Sequence, residues 1–327
     1  MSLGRGAGGD LTGWVTRRHT ALQRIVRLGL ACACLALASA QAAAARVAVV
    51  LSEDSAPYQE VYQVIRSYLD DSPHVATRFY SAGLTAASLN DASLVVAVGV
   101  GASEALAMLP ERPPVLAILV PRMWYLKTGR ARLSEGNRRS VSAIYLDQPF
   151  ARQALLIRLA FPDVRRVGVL LSTEQSGVAR ELDDALRAQR LGLVSATLTG
   201  DERLITPLER VLSEADLLLA LPDPLVFNRN TAQSIFLTSY RYHDPVLGYS
   251  RSMTRAGALL SLHSSPAQIG RQAAEWVSSA LKGGAVRLPL PAYPSYFSVS
   301  INDQVARSLG FALPSEADLE KRLGGGT

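Results

Sequence analysis

The chain alternates between short, continuous apolar runs and longer amphipathic stretches. Continuous apolar runs are typical of parallel strands that are covered on both faces. They lie first at residues 46–51, 94–98 and 115–120, with a shorter strand predicted near 75–80. Apolar side chains at helical spacing between the first two strands predict one buried helix face, made of Tyr58, Val61, Tyr62, Ile65 and Leu69. This pattern predicts an α/β fold.

The same rhythm returns in the second half of the chain. It predicts strands at residues 167–171, 193–198, 217–221, 245–249, 257–263 and 297–301, with helices between them. Ser265 and Pro266 are typical of a helix cap followed by a first-turn proline. Residues 139–169 lie between the two runs and predict a crossover with a helix over about 147–159, whereas residues 121–139 predict a long loop. We therefore predict two Rossmann-like (flavodoxin-like) lobes with parallel sheets, joined by a hinge.

The N-terminus predicts an export signal at residues 1–40. Four arginines flank an apolar run at 28–38, which is too short to span a bilayer. The tripeptide at 38–40 fits the small-x-small cleavage pattern, and residues 43–45 offer a second site. Cys32 and Cys34 both lie in this segment, so the mature chain has no thiol for disulfides, catalysis or metal binding. A lipid anchor at Cys32 is disfavoured because Gly29 stands where leucine is usual. We expect a soluble periplasmic product.

The positive charge of the chain belongs mainly to this segment. The whole chain carries a net charge of +6, but residues 1–40 hold five arginines and one aspartate, and the remainder has 29 basic and 27 acidic residues. A net charge of +2 predicts no nucleic-acid surface. The predicted loop holds four further arginines, which indicate a solvated loop or, alternatively, a docking surface: Arg130, Arg132, Arg138 and Arg139.

Candidate ligand-binding residues follow the carboxyl ends of the predicted strands, where open parallel sheets bind ligands. In the first lobe they are Ser52, Tyr58, Gly101, Ser103 and Trp124. In the second lobe they are Ser172, Ser176, Asp223, Asn228, Tyr249 and Ser250. Each could equally be a helix cap or turn residue. Asp223 is the strongest candidate for a ligand-facing anion that would bind an amine, although Asp-Pro also begins ordinary turns.

Enzymatic readings have weaker support. Gly99 and Gly101 begin a dinucleotide-binding fingerprint, but Glu104 occupies the third glycine position. Residues 101–105 nearly match a nucleophile elbow around Ser103, and Asp223 with His243 or His263 follows in hydrolase order. A serine hydrolase is thus the enzyme alternative, which two half-length sheets disfavour. The mature histidines lack paired spacing, so we predict neither a metal site nor a cofactor.

An ordered set of segments resembles a known family. The set comprises LVVAVG (94–99), VRRVGV (164–169), ALPD (220–223), PVLGYS (245–250), GALLSL (257–262), IGRQAA (269–274), LKG (281–283), SIN (300–302) and ARSLG (306–310). Over residues 46–315 the chain resembles the substrate-binding proteins of ABC importers, in the type I branch that includes tryptophan- and tyrosine-binding members. One departure is VPRMW at 120–124, where relatives usually place Asp-Pro beside the ligand.

The resemblance implies a type I periplasmic binding protein architecture and no catalysis. It also implies a small-molecule solute, an ABC permease in the inner membrane as partner, and a monomer. A ligand-sensing partner of a membrane receptor is the alternative. We expect the first lobe at residues 46–139 plus about 257–285, the second at 140–256 plus about 286–320, and a frayed tail at 321–327.

Overall fold

The computed structural model describes residues 44–110, 112–135, 140–198, 204–282 and 285–324. The first lobe is built on the strands β1 (Arg46–Leu51), β2 (Val75–Tyr80), β3 (Ala92–Val98), β4 (Val115–Val120) and β5 (Val141–Tyr145). They pair in parallel in the order β2-β1-β3-β4-β5. The helices between them are α1 (Ala56–Leu69), α2 (Val100–Ala107), α3 (Arg122–Trp124) and α4 (Arg130–Ser134), with a 3-10 turn at Ala86–Leu89.

The second lobe is built on the strands β6 (Arg166–Ser172), β7 (Gly192–Leu198), β8 (Leu217–Leu219), β9 (Val246–Gly248), β10 (Leu260–His263) and β11 (Ser298–Ile301). Their order is β11-β10-β9-β8-β6-β7, and β11 runs antiparallel to β10. The remaining helices are α5 (Phe150–Ala160), α6 (Ala179–Ala188), α7 (Ile205–Leu212), α8 (Ala232–Tyr242), α9 (Arg251–Ala256), α10 (Pro266–Leu281), α11 (Asp303–Leu309) and α12 (Glu316–Arg322), with a 3-10 turn at Thr173–Val178. The predicted α/β fold with two lobes and mainly parallel sheets is confirmed.

Each sheet is buried on both faces, which explains the continuous apolar runs. In the first lobe, Ile65 of α1 and Ile269 of α10 belong to the core on one face, and Leu106 of α2 belongs to the core on the other. In the second lobe, Leu156 of α5 lies in one core and Leu208 of α7 in the other. Burial of both faces of the central strands, such as β3 and β6, gives each sheet hydrophobic stabilisation on both sides, whereas the edge strands β2 and β7 are partly exposed.

Three crossovers connect the lobes: residues 146–149, residues 264–265 and residues 282–297. The first leads from β5 to α5, the second from β10 to α10, and the third from α10 to β11. The third crossover also extends the first sheet, because Ala292 forms a parallel bridge beside Ile144. The carboxyl ends of the strands in both lobes therefore face one another beside the crossovers.

Sheet membership differs from the predicted lobe boundaries at two places. Residues 141–145, expected in the second lobe, form β5 and pair with β4 in the first sheet. Residues 260–263, expected in the first lobe, form β10 and pair with β9 and β11 in the second sheet. The following helix α10 does return to the first lobe. The strands are short and apolar, so local pattern alone does not reveal which sheet will receive them.

The predicted loop at 121–139 is instead largely helical. A π-helical turn, Tyr125–Gly129, joins α3 to α4, and Tyr125, Gly129 and Leu133 are buried at intervals of four residues. Arg130 and Arg132 lie exposed on α4, where Arg132 contacts Glu104 at 3.8 Å. The arginines interrupt the apolar pattern, and this concealed the helix. Residues 138 and 139 lie outside the described residues.

Two short helices were also missed, α9 and α12. Leu319 of α12 is fully buried in the core of the second lobe, so the chain is ordered as helix through Arg322 and the predicted frayed tail begins too early. The predicted signal at residues 1–40 lies outside the described residues. Among the helices that the structure describes, none has both the length and the apolar character to cross a bilayer.

Candidate functional site

A narrow cavity lies between the lobes, beside the first crossover. The first lobe and the crossovers line it with Arg122, Met123, Asp147, Gln148 and Tyr293. The second lobe lines it with Phe150, Gln153, Gln175, Val178, Leu221 and Pro222. Apart from Tyr293, which lies in the third crossover, these residues follow the carboxyl ends of β4, β5, β6 and β8 or begin α5. Open parallel sheets form binding sites at such strand ends.

Contacts across this cleft hold the two lobes against each other. Arg122 Nη1 lies 2.8 Å from Glu181 Oε2 on α6 of the second lobe. Lys127 Nζ donates a hydrogen bond to the carbonyl oxygen of Glu174. Met123 packs against the apolar core of the second lobe. The two lobes therefore contact each other across the cleft in this structure.

Asp147 fixes the position of Arg122 from the first crossover. Its Oδ2 accepts a hydrogen bond of 2.6 Å from the Arg122 backbone N–H. Burial raises the pKa of the Asp147 carboxyl to about 6, and the hydrogen bonds from the backbone oppose that rise. Asp147 thus anchors the start of α3, whose N-terminal N–H groups have no partner within the helix.

A row of three tyrosine rings extends from the cavity into the first lobe. The ring of Tyr293 lies 5.5 Å from that of Tyr145, which lies 5.8 Å from that of Tyr125. Burial raises the pKa of Tyr125 and of Tyr293 to about 12, so both phenols stay neutral. The Tyr125 hydroxyl has no hydrogen-bond partner among the described residues. Tyr293 alone of the three lines the cavity, and the rings of Tyr145 and Tyr125 pack in sequence behind it.

The crossovers are joined to one another by hydrogen bonds. Gln148 Nε2 donates to Ser264 Oγ at 2.8 Å, and Ser264 Oγ donates to the carbonyl of Tyr296 at 2.6 Å. Arg152 Nη1 donates to Gln148 Oε1 at 2.6 Å and to the carbonyl of Pro294 at 3.2 Å. Residues from all three crossovers therefore take part in a single network.

The candidates after β1 and β3 form one cluster in the first lobe. Ser52 Oγ donates to the Val98 carbonyl and accepts from the Ala102 backbone N–H, both at 2.8 Å. The Tyr58 hydroxyl lies near the Ser52 hydroxyl, and both oxygens face Gly99. A Cβ built on Gly99 would meet the Ser52 and Tyr58 oxygens at 2.7 and 2.8 Å. Gly101 is exposed at the start of α2.

Two other first-lobe candidates are less accessible. Ser103 is fully buried, and its hydroxyl donates to the Gly99 carbonyl at 3.0 Å. Trp124 is half-buried, and its ring lies against Gly129 in the π-helical turn. Ser103 is therefore turned into the lobe, away from the cleft surface.

Asp223 lies beside the cavity, but the backbone uses its carboxylate. Oδ2 accepts from the Ser172 N–H at 2.8 Å, and Oδ1 accepts from the Leu225 N–H at 3.1 Å. The Ser172 hydroxyl is buried without a partner among the described residues. Burial, and secondly the charge of Asp223, raise the pKa of Tyr249. Asp223 thus fixes the loops after β6 and β8.

The remaining second-lobe candidates make local capping contacts. Ser176 Oγ donates to the Thr173 carbonyl at 2.8 Å. Asn228 Oδ1 accepts from the N–H groups of the turn that precedes α8. Ser250 caps α9 by accepting from the Met253 N–H at 3.3 Å. These bonds match the turn and cap roles that the sequence left open.

Sequence reasoning missed most of the residues that line the cavity. Arg122 belongs to the segment that departs from the resembled pattern, Asp147 and Gln148 begin the predicted crossover helix, and Tyr293 stands in a proline-rich segment. The common feature of Asp147, Gln148 and Tyr293 is that they lie within the crossovers. Only the three-dimensional path of the chain makes that feature visible.

The groups of the hydrolase alternative are apart from one another in their contacts. Ser103 bonds to Gly99 in the first lobe, whereas His263 Nε2 lies 2.9 Å from Ser300 Oγ in the second. Burial, and secondly Arg251, lower the pKa of His263 to about 4. His243 is exposed at the end of α8. Within the described residues, no group of three or more His, Cys, Asp or Glu side chains is placed to hold a metal ion.

Comparison with known proteins agrees with this architecture. The family model described as ABC transporter substrate binding protein matches residues 88–319. The solved ABC domain in complex with L-Trp from Streptococcus pneumoniae is 16% identical, with a TM-score of 0.59, over 86% of this chain and 99% of that one. A search of curated protein sequences found no significant match.

Two further solved structures are similar in fold. A substrate binding protein with adhesive properties from Clostridium difficile, in its ligand-free, open structure, is 15% identical with a TM-score of 0.64, over 83% of this chain and 97% of that one. A conserved domain protein from Vibrio cholerae is 19% identical with a TM-score of 0.58, over 85% and 98% of the two chains.

Proposed function

We propose that this chain, which belongs to the family of ABC transporter substrate binding proteins, captures a small solute between its lobes and delivers it to an ABC permease. The cavity beside the crossovers carries this proposal, because both lobes contribute side chains to it. Capture needs no bond to be made or broken. A ligand that contacts both lobes favours the closed form by its difference in affinity for the two forms.

The proposed location follows from the N-terminal sequence. Residues 1–40 carry the features of an export signal, which would deliver the mature chain to the periplasm as a monomer. The solute would there meet the protein before the permease in the inner membrane. The exposed arginines of α4 remain candidates for contact with that permease.

The proposed ligand contacts combine the cavity with the neighbouring strand ends. Ser52, Tyr58, Gly101 and Trp124 would extend the first-lobe surface when the lobes separate, and Ser172 and Tyr249 would extend the second. Asp223 would support that second surface through the backbone. Ser176, Asn228 and Ser250 would act through the loops that they cap.

A ligand screen tests the proposal directly. The purified protein is heated with each member of a metabolite library, and a ligand at a hundred times its dissociation constant should add about 2.7 kcal/mol to the free energy of unfolding. Met123→Asp places a charge in the cleft and should abolish the gain. Met108→Asp is the matched control, because Met108 is 75% exposed on the first lobe. A gain that Met123→Asp leaves intact would place the ligand elsewhere.

Transport and sensing are separated by an uptake measurement. Deleting the permease should abolish cellular uptake of the ligand that the screen identifies. Uptake that continues at the same rate would favour the sensing role beside a membrane receptor. Ester turnover that Ser103→Ala abolishes would instead favour the hydrolase.

A further inference from the structure

Arg122 brings a positive charge to the cavity, and its partner is exchangeable. The Arg122 side chain is 21% exposed, and its guanidinium pairs with Glu181, whose side chain is 49% exposed. Ion pairs with an exposed member contribute about 0–1 kcal/mol, so little free energy holds Glu181 in place. The Glu181 carboxylate therefore occupies a position that another carboxylate could take.

Besides Glu181, two acidic residues lie near Arg122 or the cavity, and the carboxylates of both accept hydrogen bonds from the backbone. Asp147 Oδ2 accepts from the Arg122 N–H, and both oxygens of Asp223 accept from backbone N–H groups. Because these oxygens already accept backbone hydrogen bonds, they offer a cationic ligand less free acceptor capacity than an open carboxylate would. An anionic ligand needs only to replace a half-exposed glutamate. The arrangement therefore favours a negatively charged ligand.

The other walls of the cavity are largely apolar, and its volume of about 10 Å³ means that a solute enters only when the lobes part. Met123, Phe150, Val178 and Leu221 line it from both lobes, and the Tyr293 ring lies 5.7 Å from the centre of the Arg122 guanidinium. The guanidinium therefore lies over the Tyr293 ring, which limits its movement. A planar guanidinium fixed in this way can bind a carboxylate through two parallel hydrogen bonds.

We propose that the solute is a small organic acid with an apolar body, and that its carboxylate displaces Glu181 from Arg122 as the lobes close on it. This inference rests on the proposed solute-binding function and adds the chemical class of the solute. Arg122 sets that class. Glu181 is a stand-in that neutralises Arg122 when the cleft holds no acid.

Matched pairs of acids and amides test the inference. Calorimetry compares phenylacetate with phenylacetamide, benzoate with benzamide, and hexanoate with hexanamide, because each pair keeps the apolar body and removes the charge. We expect at least one acid to bind about tenfold or more tightly than its amide, in keeping with a charge-assisted hydrogen-bonded pair. L-Phenylalanine is included to show whether an α-amino group adds affinity.

Variants assign the preference to the two residues. Arg122→Gln should abolish the difference between acid and amide, and Glu181→Gln should tighten acid binding several-fold because the competing carboxylate is gone. Arg132→Gln is the control, since Arg132 is an exposed arginine of the same lobe that pairs with Glu104. Thermal unfolding of each variant without ligand confirms that it is folded.

Three results would overturn the inference. They are equal binding of acid and amide, an acid preference that survives Arg122→Gln, and absence of acid binding while an uncharged metabolite binds in the cleft. The last result leaves the solute-binding function standing, whereas failure of every compound to bind contradicts both. Tighter binding of L-phenylalanine supports the inference if Arg122→Gln abolishes it and opposes it otherwise.

Discussion

Gln148 Nε2 donates a 2.8 Å hydrogen bond to Ser264 Oγ, so the first and second crossovers are joined directly. Ser264 Oγ in turn donates a hydrogen bond to the carbonyl of Tyr296, which lies in the third crossover. Both side chains are buried. The segments that must bend when the lobes move are thus coupled through one hydroxyl group.

Removing that hydroxyl should weaken the fold. Ser264→Ala leaves the Gln148 amide and the Tyr296 carbonyl without their partner, and an unsatisfied buried polar group costs about 1–3 kcal/mol. Urea denaturation should show a loss of that size. Ser308→Ala is the control, because its hydroxyl makes an exposed bond within α11, and it should cost less than about 0.5 kcal/mol. Equal losses in the two variants would contradict a special role for Ser264.

Replacing Asp223 by alanine should reduce stability with or without a ligand. The carboxylate accepts from two backbone N–H groups, one of them buried, so Asp223→Ala should cost about 1–3 kcal/mol in urea denaturation. Asp318→Ala is the control, since that side chain is 50% exposed in an i,i+4 pair and should matter little. An unchanged Asp223→Ala protein would show that these bonds contribute little and would return Asp223 to the candidates for direct ligand contact.

Gly99 should tolerate no side chain. Its φ is +89°, and a Cβ would meet the Ser52 and Tyr58 oxygens at 2.7 and 2.8 Å. Gly99→Ala should therefore lose about 2–4 kcal/mol through backbone strain and overpacking together. Gly83→Ala isolates the strain, because Gly83 has φ +78° but nothing within 4 Å of its Cβ, and it should lose about 1–2 kcal/mol. Comparable losses would mean that the contact with Ser52 and Tyr58 relaxes freely.

Asp244 should destabilise the protein at alkaline pH. Burial, and secondly the charge of Asp216, raise its pKa from 3.8 to about 7, and its Oδ2 has no partner among the described residues. The pKa of Asp244 is higher in the folded protein than in the unfolded one. The stability that the protonated Asp244 carboxyl contributes is therefore fully present below about pH 4, and it is lost as the pH rises through 7. Asp244→Asn keeps the neutral shape and should be about 2–4 kcal/mol more stable than the original protein at pH 8.

Substituting the neighbouring Asp216 should have the opposite effect on stability, because its carboxylate has hydrogen-bond partners. Its Oδ2 accepts exposed hydrogen bonds from the N–H groups of Arg165 and Arg166 at 2.8 and 2.7 Å, so Asp216→Ala, which removes the acceptor, should destabilise the protein at pH 5 by about 0.5–1.5 kcal/mol. Denaturation curves at pH 5 and pH 8 measure both variants. A gain for Asp244→Asn that does not depend on pH would rule out titration of Asp244 as its cause.

The sequence by itself determined the two-lobe α/β fold and the approximate position of most strands. Continuous apolar runs such as residues 94–98 require cover on both faces, and the cap and proline at 265–266 specify a helix start by local chemistry. These signals are local, because each depends on residues within a few positions of one another.

The tertiary structure alone decided where the chain changes lobe and which side chains meet in the cleft. β5 and β10 join sheets that their own residues do not specify, since pairing depends on strands distant in the chain. The helix from Arg122 was hidden by its arginines, and only the fold shows that the oxygens of Asp223, which the sequence predicts to face a ligand, accept backbone hydrogen bonds. Arg122 and Glu181 are 59 residues apart in the chain, and only closure of the lobes brings their charges together.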